Sequence, residues 1–174
     1  MKTLFTLYDK FINIITKIVG VVAGSLLFVP AFMVFYEVVA RGIFNAPTEW
    51  VMEISTYCVV MAGFLGMGVT YSYGRHIKVD LLVSRLSPQT KCFFEIVTSI
   101  VGLIFIYIFM TESMDMAMLS LENNNCAPTT LSTPLWIPQM SLPIGLGVLF
   151  LQIIRTIILD CNKVITGDYT KEAI

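Results

Sequence analysis

The apolar positions of this chain do not line one face of successive elements; they run together. Four stretches, about Ile18 to Tyr36, Ile54 to Tyr73, Phe93 to Thr111 and Trp136 to Ile158, are almost free of charged side chains. The first two contain none, the third has Glu95 near its start, and the fourth has Arg155 near its end. A hydrocarbon core of roughly 30 Å is crossed by a helix of about 20 mostly apolar residues. Without water to receive backbone groups, unbroken runs of this kind are stable only as helices, and no barrel-type alternation is present. The pattern therefore predicts an all-α integral membrane protein, one domain over residues 1–174 with four transmembrane helices. The first run is followed by Glu37, Val38, Val39, Ala40 and Arg41. It is too long for a signal-peptide core and lacks a small-residue cleavage site, so a retained helix is expected.

The intervening segments carry their own patterns. Leu4, Leu7, Tyr8, Phe11, Ile12, Ile15 and Ile18 recur at helical spacing, with Lys2, Asp9, Lys10, Asn13 and Lys17 on much of the other face. Residues 1–17 read either as an interfacial helix on the inner leaflet or as an extension of the first span. Residues 75–86 mix Ile77, Val79, Leu81, Leu82, Val83 and Leu86 with Arg75, His76, Lys78, Asp80 and Arg85, which suits a second in-plane helix. Ser87 before Pro88 reads as a cap with proline in the first turn, and Thr133 before Pro134 reads the same way. Pro30 and Pro143 fall inside spans, where each removes a backbone donor, and Pro138 suits a first turn. Gly63, Gly66 and Gly68 are expected to permit close helix contact.

Composition agrees with this class: 56% of the 174 residues are hydrophobic and 13% charged, and mean hydropathy is +0.80. The net charge of −1 says little, but its distribution orients the chain. Lys2, Lys10, Lys17, Arg75, Lys78, Arg85, Lys91, Arg155, Lys163 and Lys171 all fall on one side of four spans. The first and third loops hold Arg41 together with Glu37, Glu49, Glu53, Glu112, Asp115 and Glu122. By the positive-inside rule both termini are expected to be cytoplasmic.

Residues able to do chemistry are scarce. His76 is the single histidine, so neither a bis-histidine haem site nor a two-histidine zinc site can be assembled from this chain. Cys58, Cys92, Cys126 and Cys161 form no CxxC pair or metal set, and no disulfide is expected. No phosphate-binding glycine loop is present, and serines in the spans lack a base to activate them. Acids sit near helix ends rather than at midspan, against a complete proton-coupled pump. The expectation is a protein that is not an enzyme and holds no cofactor or metal. A small four-helix exporter acting as a dimer would need an intramembrane acid. A membrane anchor of an electron-transfer complex would need haem ligands or a quinone pocket.

The first loop reads Arg41-Gly-Ile-Phe-Asn45-Ala-Pro47-Thr-Glu49-Trp50-Val-Met-Glu53, and the second contains Gly74-Arg-His76-Ile77-Lys-Val79-Asp80. With Pro134 to Trp136 and Pro143-Ile-Gly145, this resembles the DctQ-like small membrane subunit of tripartite ATP-independent periplasmic (TRAP) transporters over almost the whole chain. Family members often carry two adjacent acids after the tryptophan, whereas here Met52 precedes a single Glu53. The resemblance implies a scaffold that pairs with a large, elevator-type DctM-like membrane subunit and helps dock a DctP-like periplasmic binding protein. It further implies sodium-driven uptake of organic acids, of the sialic acid or C4-dicarboxylate type, in the bacterial inner membrane, with sodium bound in the large subunit.

Arg41 and Glu53 lie near the outer ends of consecutive antiparallel helices, where an ion pair would fix how the spans meet. Trp50 suits the outer interface, and Asn45 and Pro47 suit the turn. His76 and Asp80 share a face if their segment is helical. These residues, with Pro134, Trp136 and Pro143, are the candidate structural and subunit-interface positions. Glu112, Asp115 and Glu122 are the candidates in the third loop for docking the binding protein.

Overall fold

The computed structural model describes residues 2–46, 48–73 and 88–166. Among these the chain forms four helices: α1 (Lys2–Phe44), α2 (Glu49–Ser72), α3 (Pro88–Glu122) and α4 (Trp136–Thr166). Each is long and apolar enough to cross a membrane. Pro47, the 74–87 segment with His76, Asp80 and the expected in-plane helix, and residues 167–174 lie outside the described residues.

The helices run past the expected spans because hydropathy marks contact with hydrocarbon, not helicity. In α1, 43 residues form one unbroken helix, about 65 Å at 1.5 Å per residue and roughly twice the hydrocarbon thickness. Its amphipathic N-terminal stretch continues the first span without a break, because its 3.6-residue apolar rhythm carries on. Ile12 and Thr16 are already buried in the bundle. Similarly, α3 continues beyond Thr111 to Glu122. Ser113, Ala117 and Ser120 are buried there at spacings of four and three, so one stripe still faces protein.

The start of α4 departs from its expected cap. Thr133 gives its hydroxyl to Glu53 of α2, and Pro134 bridges back to Cys126. The helix therefore opens later, at Trp136, with Pro138 in its first turn. Pro88 is the first residue of α3, while Pro30 and Pro143 lie inside continuous helices.

The helices stand in the order α1, α2, α4, α3, with α1 touching α4 along a narrower strip. The α2–α4 seam is the tightest. A Cβ on Gly145 would land on the Phe64 carbonyl oxygen, and one on Gly68 would meet Val148 Cγ1 at 2.6 Å. Only hydrogen side chains allow this approach. Gly63 and Gly66 have open space around their would-be Cβ atoms, so of the three expected contact glycines only Gly68 serves. Between α3 and α4, Ile106 packs with Leu146, Leu149 and Ile153.

Polar ties fasten α1 to α4. Gln152 Nε2 donates to Thr16 Oγ1 at 2.7 Å, Tyr8 donates to the Leu151 carbonyl at 3.2 Å, and Arg155 Nε donates to Asp9 Oδ1 in a short ion pair. The outward faces are apolar instead: Phe28, Phe32 and Phe35 of α1 and Val101, Ile104, Phe105 and Ile108 of α3 are exposed. So much contiguous apolar surface fits a bilayer or a membrane partner, not water.

Candidate functional site

Among the described residues, Arg41, Asn45, Trp50, Glu53, Pro134, Trp136 and Glu122 lie at the end of the bundle where α1 meets α2 and α3 meets α4. Asn45 takes φ 50°, a left-handed backbone that asparagine tolerates, and ends α1. Ala46 N–H then returns to the Ala40 carbonyl at 3.2 Å. Across the turn, Thr48 N–H donates to Glu37 Oε2 at 3.0 Å, and the Tyr36 and Trp50 rings lie 6.4 Å apart. Glu49 in the first turn of α2 places negative charge at the helix N-terminus, where free N–H groups favour it. The turn between α1 and α2 is thus closed by an acid eleven residues upstream of Thr48 and by an aromatic pair.

Glu53 does not pair with Arg41. Its Oε1 accepts from Thr133 Oγ1 at 2.7 Å and from the Tyr57 hydroxyl at 3.3 Å. Arg41 lies exposed in the last turn of α1. The reason is rotational: Glu53 sits on the side of α2 that faces the α3–α4 loop, away from α1. The ion pair found among the described residues is Asp9–Arg155, at the opposite end of the bundle.

The loop that Glu53 grips is itself built. Ala127 N–H donates to the Thr133 carbonyl at 2.9 Å and Leu135 N–H to the Asn125 carbonyl at 3.0 Å, closing it on itself. Asn124 and Ser132, at φ 49° each, turn its corners. Pro134 is exposed within it, and Trp136 begins α4 half-buried. Pro143 is buried farther along α4, two residues before the Gly145 contact.

Glu112, Asp115 and Glu122 are exposed, but they lie on α3 and not in a loop. The Tyr107 and Phe150 rings lie 6.3 Å apart, and a Cβ on Gly147 would meet Met110 Sδ at 3.9 Å. This antiparallel register brings Glu122 level with the start of α4. Glu112 is ten residues back along α3, about 15 Å from that end.

Four relationships escaped the sequence reading: Glu37 with Thr48, Glu53 with Thr133, Asp9 with Arg155, and Thr16 with Gln152. A signal existed for the last, because Gln152 interrupts an apolar run. Among the described residues, no group of three His, Cys, Asp or Glu side chains is placed to hold a metal. Cys58, Cys126 and Cys161 are free thiols.

Comparison with known proteins gives this arrangement its context. Residues 30–162 match the family model described as Tripartite ATP-independent periplasmic transporters, DctQ component. A Haemophilus influenzae relative named as a TRAP transporter small permease protein is 30% identical over 116 residues, 67% of this chain and 71% of the relative. The matched region contains all of α2 and α3, nearly all of α4 and the loop between them. The chain therefore belongs to the DctQ family: it is a small, non-enzymatic membrane component of a TRAP transporter, a multi-pass inner-membrane protein that works with a large membrane subunit and a periplasmic binding protein.

Proposed function

We propose that this chain is the fixed scaffold of a sodium-driven importer of organic acids, of the sialic acid or C4-dicarboxylate type. Its termini face the cytoplasm, a reading supported by the ten Lys and Arg residues that fall on one side of the four spans. The large subunit carries the substrate and binds the sodium ions; this chain binds neither and braces it in the bilayer. Glu122 and Glu49, on the outer ends of α3 and α2, receive the loaded binding protein, with Asp115 and Glu112 farther from that contact.

The observation that carries this reading is the α2–α4 seam. A methyl group at Gly68 or Gly145 would already collide with the facing helix. The α2–α4 seam thus leaves no lane for a carboxylate, and the buried Gln152 and Thr16 side chains are spent on each other between α4 and α1. Motion and substrate recognition then belong to another chain.

The test is sodium-dependent uptake into proteoliposomes holding this chain alone, this chain with its large subunit, or that pair with the binding protein. Uptake is expected only with all three. Uptake by this chain alone would overturn the reading.

A further inference from the structure

The polar ties between α1 and α4 fix where the first turns of α1 lie. Tyr8 and Thr16 are eight residues apart, about 12 Å of helix, yet their partners are the consecutive residues Leu151 and Gln152. Two helices lying side by side would carry such partners about 12 Å apart on α4 as well. With only a narrow strip of contact between them, α1 instead crosses the end of α4 obliquely. Its residues 8–16 therefore stay at the depth of Leu151 to Arg155 and do not project beyond it.

That depth is a membrane boundary, because Arg155 is the charged residue that closes the fourth apolar run. The length of α1 points the same way. Leu7–Phe44 is an apolar stretch of 38 residues, about 57 Å of helix, longer than the roughly 40–45 Å of a bilayer with its headgroups. It cannot stand upright in the membrane, and the excess is taken up where α1 leans across α4.

The faces of this stretch differ in chemistry. Ile12 and Thr16 are buried against the bundle. Leu7, Phe11, Ile14 and Ile18 follow one another at spacings of four, three and four, and all are exposed on the opposite side. Lys10 and Lys17, seven apart and so on one flank of that stripe, are exposed too. Asp9, the only acid before Glu37, is held by Arg155, so α1 itself does not offset the two cations.

We propose that the first turns of α1 are a docking surface for anionic phospholipid, in the leaflet at the N-terminal end. Leu7, Phe11, Ile14 and Ile18 enter the acyl region beside the bundle, and Lys10 and Lys17 take the phosphates of lipids of net negative charge. A segment of this kind binds through buried apolar area and through cations at headgroup level, and here the two occupy adjacent faces of one helix.

The test places a benzophenone photo-crosslinker at Phe11 in the full chain, reconstituted in phosphatidylcholine vesicles with a minor share of phosphatidylglycerol of identical acyl chains. Mass spectrometry of the adducts reads which lipid was touched. Phosphatidylglycerol should be enriched in the adducts at least about twofold over its share of the bilayer. The same crosslinker at Phe105, on the outward face of α3, should return the bulk share. Lys10→Gln with Lys17→Gln should bring the adducts at Phe11 down to the bulk share, and in the complex with the large subunit the adducts at Phe11 should still be lipid. Bulk share with both lysines present, or enrichment that survives their replacement, would overturn the proposal. So would an absence of lipid adducts, which would put the stripe in water, or crosslinking to the large subunit, which would make it a protein interface.

Discussion

Gln152 of α4 hands its side-chain amide to the Thr16 hydroxyl of α1, 136 positions earlier in the chain, with the two residues 2% and 6% exposed. The first and last helices share only a narrow strip of contact. A buried polar pair there is satisfied in a single register, so it selects one arrangement among the many that apolar surfaces would accept.

Removing one member leaves the other buried and unpaired. Gln152→Leu or Thr16→Val should destabilise the detergent-solubilised protein by about 0.6–2 kcal/mol, the range for hydrogen bonds between membrane helices. The double variant should cost less than the sum of the singles. Thermal unfolding of all four proteins measures the coupling, and strictly additive effects would remove the register role.

At the same end, Asp9 and Arg155 form an ion pair whose side chains are 31% and 15% exposed. Such a half-buried pair lies between the weak surface case and the costly buried one, so Arg155→Ala should lose about 1 kcal/mol or slightly more. Exchanging the charges, with Asp9→Arg and Arg155→Asp together, should recover more than half of that loss. If the exchanged protein is no better than the single variant, the pair does not act through charge.

The two glycines of the α2–α4 seam contrast with a glycine of α2 that faces open space. Gly68→Val pushes a side chain into Val148 and Gly145→Val into the Phe64 backbone, and each should cost about 1–3 kcal/mol or more, because well-packed seams absorb extra volume poorly. Gly66→Val points into open space and should be tolerated. Folded yield and unfolding temperature of the three proteins report the difference.

At the other end, Glu53 and Arg41 should behave differently. Glu53→Gln weakens the bond from Thr133 that anchors residues 123–135. Amide hydrogen exchange in that loop should rise several-fold, with α2 itself unaffected. Arg41→Gln should change neither the exchange nor the folded yield. An effect of Arg41→Gln matching that of Glu53→Gln would restore the ion pair that the structure replaces with Thr133.

The spans were legible because a bilayer demands about 20 apolar residues from whatever crosses it, and that demand is written in composition. Where a helix stops is decided by other forces. Past Thr111, α3 continues because Ser113, Ala117 and Ser120 still face protein, and a small polar residue on that stripe looks like loop in a hydropathy reading. Gly68 and Gly66 are equally small, and only their rotation about α2 tells which one touches α4. Glu53 illustrates the same limit: its position near the helix end was evident, but whether it faces Arg41 or Thr133 depends on a turn of the helix. The turn itself was more accessible, since Asn45 is among the few residue types that accept φ 50°.

A scaffold stays rigid while its partner moves, and tying two of its helices together shows whether this chain does. In an assembled transporter lacking other reactive cysteines, Thr16→Cys and Gln152→Cys are joined by a short bifunctional thiol reagent, which ties α1 to α4. Sodium-dependent uptake should continue at the rate of the unlinked complex. Loss of uptake on linking, restored when a cleavable reagent is cut, would show that the two helices move during transport and that the scaffold account is wrong.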